Sequence, residues 1–182
     1  VIMFADLKGF TKYSEGKSPE DVAAFLNRCW SIAADIVEKH GGVINKYMGD
    51  GFLAIFGVPL ELKGAEKAAA ETAAELDREL APVLNPDGLA LCIGLHSGPM
   101  IVGGIGSEAR CEFTVIGSTV NLASRLETLN RSLDTRCLTS SEVADKIAGD
   151  WHMKDHGGQQ VKGVAREVNV FELRTKKDPA SS

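Results

Sequence analysis

The sequence lacks three things, each of which would have placed it in a different class. No uninterrupted apolar run approaches the ~20 residues of a membrane-spanning helix, and no charged-then-apolar leader opens the chain. This stretch is therefore expected to be soluble and cytoplasmic, whether or not a longer parent protein is tethered to a membrane. No excess of basic charge is present: 20 Lys and Arg stand against 25 Asp and Glu, a net charge of −5. The broad positive field that phosphate-backbone binding requires is missing, and nucleic acid is not an expected partner. No CxxC pair occurs either. The four cysteines, Cys29, Cys92, Cys111 and Cys137, are widely spaced among apolar residues, which points to buried, reduced thiols rather than a disulfide frame or a zinc site. What is there is 182 residues with 44% apolar content, enough for one globular domain with a self-sufficient core. Val1-Ile2-Met3-Phe4-Ala5 reads as a strand already under way, and the domain is expected to belong to a longer polypeptide with a regulatory domain upstream.

The stretch Val43–Gly57, VINKYMGDGFLAIFG, carries two apolar runs, Val43–Tyr47 and Phe52–Phe56, joined by Met48-Gly49-Asp50-Gly51. That is the signature of a β-hairpin, and Asp-Gly taken alone reads more simply as turn chemistry than as a ligand. Ahead of it, Val1–Asp6 is a short strand ending in a carboxylate, followed by Leu7–Thr11, where Gly9 can let backbone amides turn toward an anion. Ser18-Pro19 opens an amphipathic helix with apolar residues at Val22, Phe25, Leu26, Cys29, Ala33, Ile36 and Val37. Lys39-His40-Gly41-Gly42 ends it, which makes His40 a helix-end residue. A second helix is expected over Glu61–Leu80, stopped by Pro82, then strands over Leu89–His96 and Met100–Gly104, with His96 structural. Ile105–Arg110 reads as a loop, Cys111–Ile116 as a strand, and Gly117-Ser118-Thr119 as a helix entry with a hydroxyl cap. In the helix that follows, Asn121 and Arg125 stand four apart and share one side. A strand near Thr135–Thr139, a serine-capped helix from Ser141, strands around Trp151–Met153, Gln160–Lys162 and Glu167–Leu173, and a polar tail complete the chain. This order is that of an α+β fold with a ferredoxin-like βαββαβ core. Its helices would cover one face of a mainly antiparallel sheet, leaving the other to a ligand or partner.

Three blocks in sequence resemble the class III adenylyl/guanylyl cyclase catalytic domain. They are Phe4-Ala5-Asp6-Leu7-Lys8-Gly9-Phe10-Thr11, Asn45-Lys46-Tyr47-Met48-Gly49-Asp50-Gly51, and the run from Thr114-Val115-Ile116-Gly117 through Asn121 to Arg125. Val161-Lys162-Gly163 is similar to the family's closing segment. The resemblance covers almost the whole chain, and implies a catalytic domain over 1–174 with a polar tail at 175–182.

It also implies a reaction: ATP to cyclic AMP and pyrophosphate, by attack of the ribose 3′-hydroxyl on the α-phosphate. Asp6 and Asp50 match the family's two metal-binding aspartates, which would hold two Mg²⁺ or Mn²⁺ ions together with the Leu7 carbonyl; hard cations of this kind take oxygen ligands. The amides of Leu7, Lys8, Gly9, Phe10 and Thr11 would cradle the triphosphate. Lys46 matches the adenine-selecting lysine, a donor suited to adenine N1, where guanylyl members carry an acidic residue. Thr114 replaces an aspartate found in many relatives, and is similar to a subgroup some of whose members respond to bicarbonate. Asn121 and Arg125 match the transition-state pair, and Arg110 and Lys162 are candidate pyrophosphate binders. The family's sites form between two domains placed head to tail. A chain carrying every part implies a homodimer with two equivalent sites. The competing readings are a guanylate cyclase, disfavoured by Lys46, and a catalytically silent dimerisation or regulatory module, disfavoured because all the principal positions hold competent residue types. A diguanylate-type cyclase lacks support, since no GGDEF-like run occurs.

Overall fold

In the computed structural model the described residues are 1–107, 110–161, 164 and 166–176, side chains excepted at 106–107 and 110–113. β1 (Ile2–Lys8) lies inside a seven-stranded sheet and is hydrogen-bonded on both edges. One neighbour is β3 (Gly51–Phe56), itself paired with β2 (Gly42–Tyr47). The other is β4 (Ala90–His96), followed by β7 (Cys137–Ser140), β9 (Val168–Lys176) and β8 (Trp151–Gln159), giving the order β2-β3-β1-β4-β7-β9-β8. All pairings are antiparallel except β4 with β7. A separate two-stranded ribbon pairs β5 (Ile101–Ser107) with β6 (Arg110–Ile116).

Because strand side chains alternate, β1 supplies two cores. Met3, Ala5 and Leu7 pack with α2 (Pro19–Lys39) and α3 (Ala65–Leu84), while Ile2 joins Leu53, Ile55, Val115 and Ala123 on the opposite face. The two helices of the βαββαβ core thus share one face, as expected. The other face is not open throughout, since α4 (Ser118–Leu133) covers part of it. Gly94 on β4 explains how closely α4 approaches: a Cβ there would meet Ala123 O and Glu127 N at 2.3 Å. Buried Asn130 fastens the same contact, donating to Ile93 O at 2.9 Å and accepting from Thr135 Oγ1 at 2.9 Å.

α2 begins as expected, with Pro19 at its first position and the Ser18 hydroxyl accepting from Asp21 N at 3.1 Å. His40 is its C-cap and is bonded to Glu75 at 2.7 Å, in keeping with a structural role. Several expectations are corrected. α3 starts at Ala65 and continues through Pro82 to Leu84, because Leu80 and Leu84 are both buried; Pro82 and Arg78 are exposed, so the carbonyl deprived of an N–H can meet water. The loop expected over Ile105–Arg110 shrinks, since β5 runs to Ser107 and β6 starts at Arg110, with the glycines of β5 disguising a strand. α4 has Gly117 at its N-cap and no hydroxyl cap; Thr119 Oγ1 donates instead to Pro99 O at 2.6 Å. The cap position of α5 (Ser141–Ile147) is Ser140, whose hydroxyl bonds His96 Nδ1 at 2.7 Å rather than the helix. Trp151–Met153 belongs to one long strand, β8, that ends at Gln159; register shifts near His152 and Asp155 broke its period-2 pattern. Cys29, Cys92 and Cys137 are buried and free; the Cys111 side chain and the tail from 177 lie outside the described residues. No helix among the described residues is long and apolar enough to cross a membrane.

Candidate active site

Asp6 stands opposite Gly51 of β3 and opposite Cys92 of β4, one residue pair from the β2–β3 turn. That turn is closed by Met48 N donating to Gly51 O at 2.8 Å, and joined to β1 by Leu7 N donating to Asp50 O at 3.0 Å. Asp50 is thereby tied to the backbone next to Asp6. The left-handed residue of the turn is Gly49, with φ 70°, not Asp50 or Gly51. Gly51 is needed for a different reason: a Cβ there would lie 2.7 Å from Ala5 O and 3.0 Å from Asp6 Oδ2. Its absence leaves that carboxylate oxygen open on the Asp50 side.

Negative charge is concentrated here. Burial, and then the charge of Asp50, push the Asp6 carboxyl above its ordinary value, against the opposing pull of Arg131. Arg131, on the last turn of α4, donates through Nη2 to Asp6 Oδ1, and its Nη1 lies 3.3 Å from Glu127 Oε1. Glu127 is buried, and Oε1 has no hydrogen bond of good geometry. Burial first, and Asp6 second, raise its carboxyl to about 7, outweighing the nearby guanidinium. Neither Glu127 nor Arg131 was expected from the sequence. Their spacing of four marks an ordinary helix ion pair, and only the packing of α4 on β4 and β1 brings it to Asp6.

The donor set suits a hard divalent ion that arrives with further oxygen ligands. Among the described residues no cluster of three or more His, Cys, Asp or Glu is placed to hold a metal by itself. Asp50 is near enough for its charge to act on the Asp6 carboxyl, Gly51 puts no side chain against Asp6 Oδ2, and the Leu7 carbonyl is adjacent in sequence.

Beyond Asp6 the chain turns at Gly9, φ 93°, into α1 (Phe10–Ser14). Lys8 is turned toward Asp134, with its Nζ 2.9 Å from Oδ1, and Phe10 packs against the core. Lys46 lies half-buried on edge strand β2 opposite Leu53, and Thr114 half-buried on β6 opposite Gly103. Asn121 and Arg125 are on α4 and, among the described residues, their side chains make no hydrogen bond or ion pair. A groove of about 420 Å³ runs past Arg125 and Arg131 to Gln160 and Val161. Lys162 and the Arg110 side chain lie outside the described residues. Within one chain, then, Asp6 and Asp50 are brought together, while Lys46 and Thr114 are carried on two different sheets.

Residues 1–175 match the family of adenylate and guanylate cyclase catalytic domains. The chain belongs to this family. The cyclase domain is 30% identical to adenylate cyclase 1 of Rhizobium meliloti over 94% of its own length and 27% of that protein. It is 35% identical to an uncharacterised protein of Mycobacterium tuberculosis over 96% of its length and 33% of that protein. It therefore spans between a quarter and a third of these relatives. Among solved structures it resembles the adenylyl cyclase CyaB of P. aeruginosa, with TM-score 0.88 and 29% identity, covering 97% of this chain and 93% of that one. It also resembles the guanylyl cyclase Cya2, with TM-score 0.85 and 32% identity, covering 99% and 93%.

Proposed function

We propose that this cyclase domain is an adenylate cyclase, converting ATP to 3′,5′-cyclic AMP and pyrophosphate at two sites shared by a head-to-tail homodimer. The observation that carries the reading is the pair Asp6 and Asp50, joined across the β2–β3 turn beside an anion-ready glycine turn in a chain of this family. Asp6, Asp50 and the Leu7 carbonyl would hold two divalent ions, Mg²⁺ or Mn²⁺. When bound, such ions supply charge neutralisation at the phosphates and make the 3′-hydroxyl more acidic. Backbone amides from Lys8 to Thr11 would face the triphosphate, the Leu7 amide expected among them being taken instead by Asp50 O at 3.0 Å, with Arg110 and Lys162 as further pyrophosphate binders. Lys46 donates to adenine N1 and Thr114 accepts from the adenine amino group. Asn121 orients the ribose, and Arg125 donates to the α-phosphate as charge builds there.

The dimer is supported by the separation of parts. Among the described residues the side chains of Asn121 and Arg125 are unengaged, and the ribbon that bears Thr114 exposes Ile101, Ile105 and Ile116, an apolar set suited to a second copy. The catalytic unit is residues 1–174, in the cytoplasm, under an upstream regulatory domain. A bicarbonate response rests on Thr114 alone, and constant turnover on adding bicarbonate at fixed pH and ionic strength would remove it. A guanylate cyclase is the second reading, favoured by the likeness to Cya2 and opposed by Lys46.

The test offers ATP and GTP, each with Mg²⁺ and with Mn²⁺, to the purified domain. Cyclic AMP is expected, with specific activity rising as protein concentration drives dimer formation. Cyclic GMP as the main product would establish the second reading, and no product at any concentration would make the domain a silent module.

A further inference from the structure

Arg131 is the one cation bonded to Asp6 among the described residues, since the neighbouring Lys8 is engaged by Asp134. It holds Oδ1, while Oδ2 faces the space left by Gly51. Two ions held by Asp6 and Asp50 would draw on the carboxylate oxygens of Asp6, and the guanidinium on Oδ1 would compete with them for one of these. The arrangement lets Arg131 leave. Its side chain is 42% exposed, the groove shared with Arg125, Thr128 and Ser132 is open beside it, and Glu127, four residues back, stays within reach as an alternative partner. Meanwhile Asn130 and Gly94 fix the α4 backbone on β4, so the side chain can move without the helix moving.

We propose that Arg131 is a resident counter-cation of the metal site. Its guanidinium neutralises and orients Asp6 while no ion is bound, yields Oδ1 to the incoming ion, and falls back on Glu127. This rests on the two-metal reading of Asp6 and Asp50. It makes Arg131 a positioning residue that weakens metal binding, the opposite of what a merely structural ion pair would do. Loss of a structural pair would disorder Asp6 and leave affinity unchanged or lower.

Mn²⁺ binding to the full domain without nucleotide, followed by the electron paramagnetic resonance of free Mn²⁺, separates these outcomes. The variants are Arg131→Met, Arg131→Gln and Arg131→Lys, each with and without Asp50→Asn. Both neutral variants should bind Mn²⁺ roughly fivefold more tightly than the parent, the scale of one exposed charge pair, and Arg131→Lys about as the parent does. Their melting temperatures should fall below the parent's in EDTA, with the gap closing at saturating Mn²⁺. Asp50→Asn should abolish binding in every background. If it does, but neutral variants bind no more tightly than the parent, the counter-cation role is overturned and the metal site stands. Binding that survives Asp50→Asn, or no binding by any protein, overturns the metal site and this inference with it.

Discussion

The two halves of the candidate site are built differently. At the end proposed for the ions, Asp6, Asp50, Glu127 and Arg131 interact with one another inside a single chain, on a strand bonded on both edges, on the turn beside it and on a helix clamped by Gly94 and Asn130. At the end proposed for the nucleotide, Asn121 and Arg125 make no side-chain bond among the described residues, and Thr114 lies on a ribbon outside the main sheet. One half is held together by the fold of its own chain. The other leaves an exposed Asn121 and a half-buried Arg125 available to a substrate or a second copy.

Substitutions at the two ends should therefore differ in what they disturb. Asp50→Ala should show the largest effect, with cyclic AMP formation down by about 10³-fold or more, since one of two carboxylates for the ions is gone. Its melting temperature in EDTA should not fall, because Asp50 repels Asp6 in the metal-free chain. Asn121→Ala should lower turnover by about 10²- to 10³-fold, the usual cost of a lost transition-state donor, and leave thermal stability within about 0.5 kcal/mol. A large loss of stability in Asn121→Ala would mean that the nucleotide end is engaged within its own chain after all.

Gly94→Ala addresses the element common to both ends. With no room for a methyl between β4 and α4, it should cost roughly 3 kcal/mol in denaturant unfolding and displace Asn121, Arg125 and Arg131 together. Glu127→Gln should act more gently, and only through pH. The folded chain holds the Glu127 proton up to about 7, against an ordinary 4.5, so between these values it binds a proton that the unfolded chain has lost. Stability from this group is fully present below about 4.5 and is lost as pH rises through 7, with a ceiling of roughly 3 kcal/mol. Thermal melts from about pH 5 to pH 8 should show Glu127→Gln gaining on the parent as pH rises; parallel curves would contradict the assignment.

Much of this was legible in the residues. Ser18-Pro19 and Lys39-His40-Gly41 marked both ends of α2, and two apolar runs marked the hairpin, because caps and period-2 patterns are local signals. Pro82 misled because burial of Leu80 and Leu84 outweighs a lost hydrogen bond at an exposed helix end. The C-terminal parts of β5 and β8 hid behind glycines and register shifts. Of the candidate site, Asp6, Asp50, Asn121 and Arg125 are proposed from motifs alone. Glu127 and Arg131 could not be, since nothing in a four-residue spacing says that it ends against a strand 125 residues earlier.

The central claim is that the two ends meet across a dimer, and mixing two inactive variants tests it directly. Asp50→Ala lacks a metal end but keeps its nucleotide end, and Asn121→Ala the reverse, so each mixed dimer holds one intact site. Random exchange at equal concentrations makes half the dimers mixed, and activity should return to about a quarter of the parent's. Mixed dimers shown to form, yet no more active than either variant alone, would contradict the shared site.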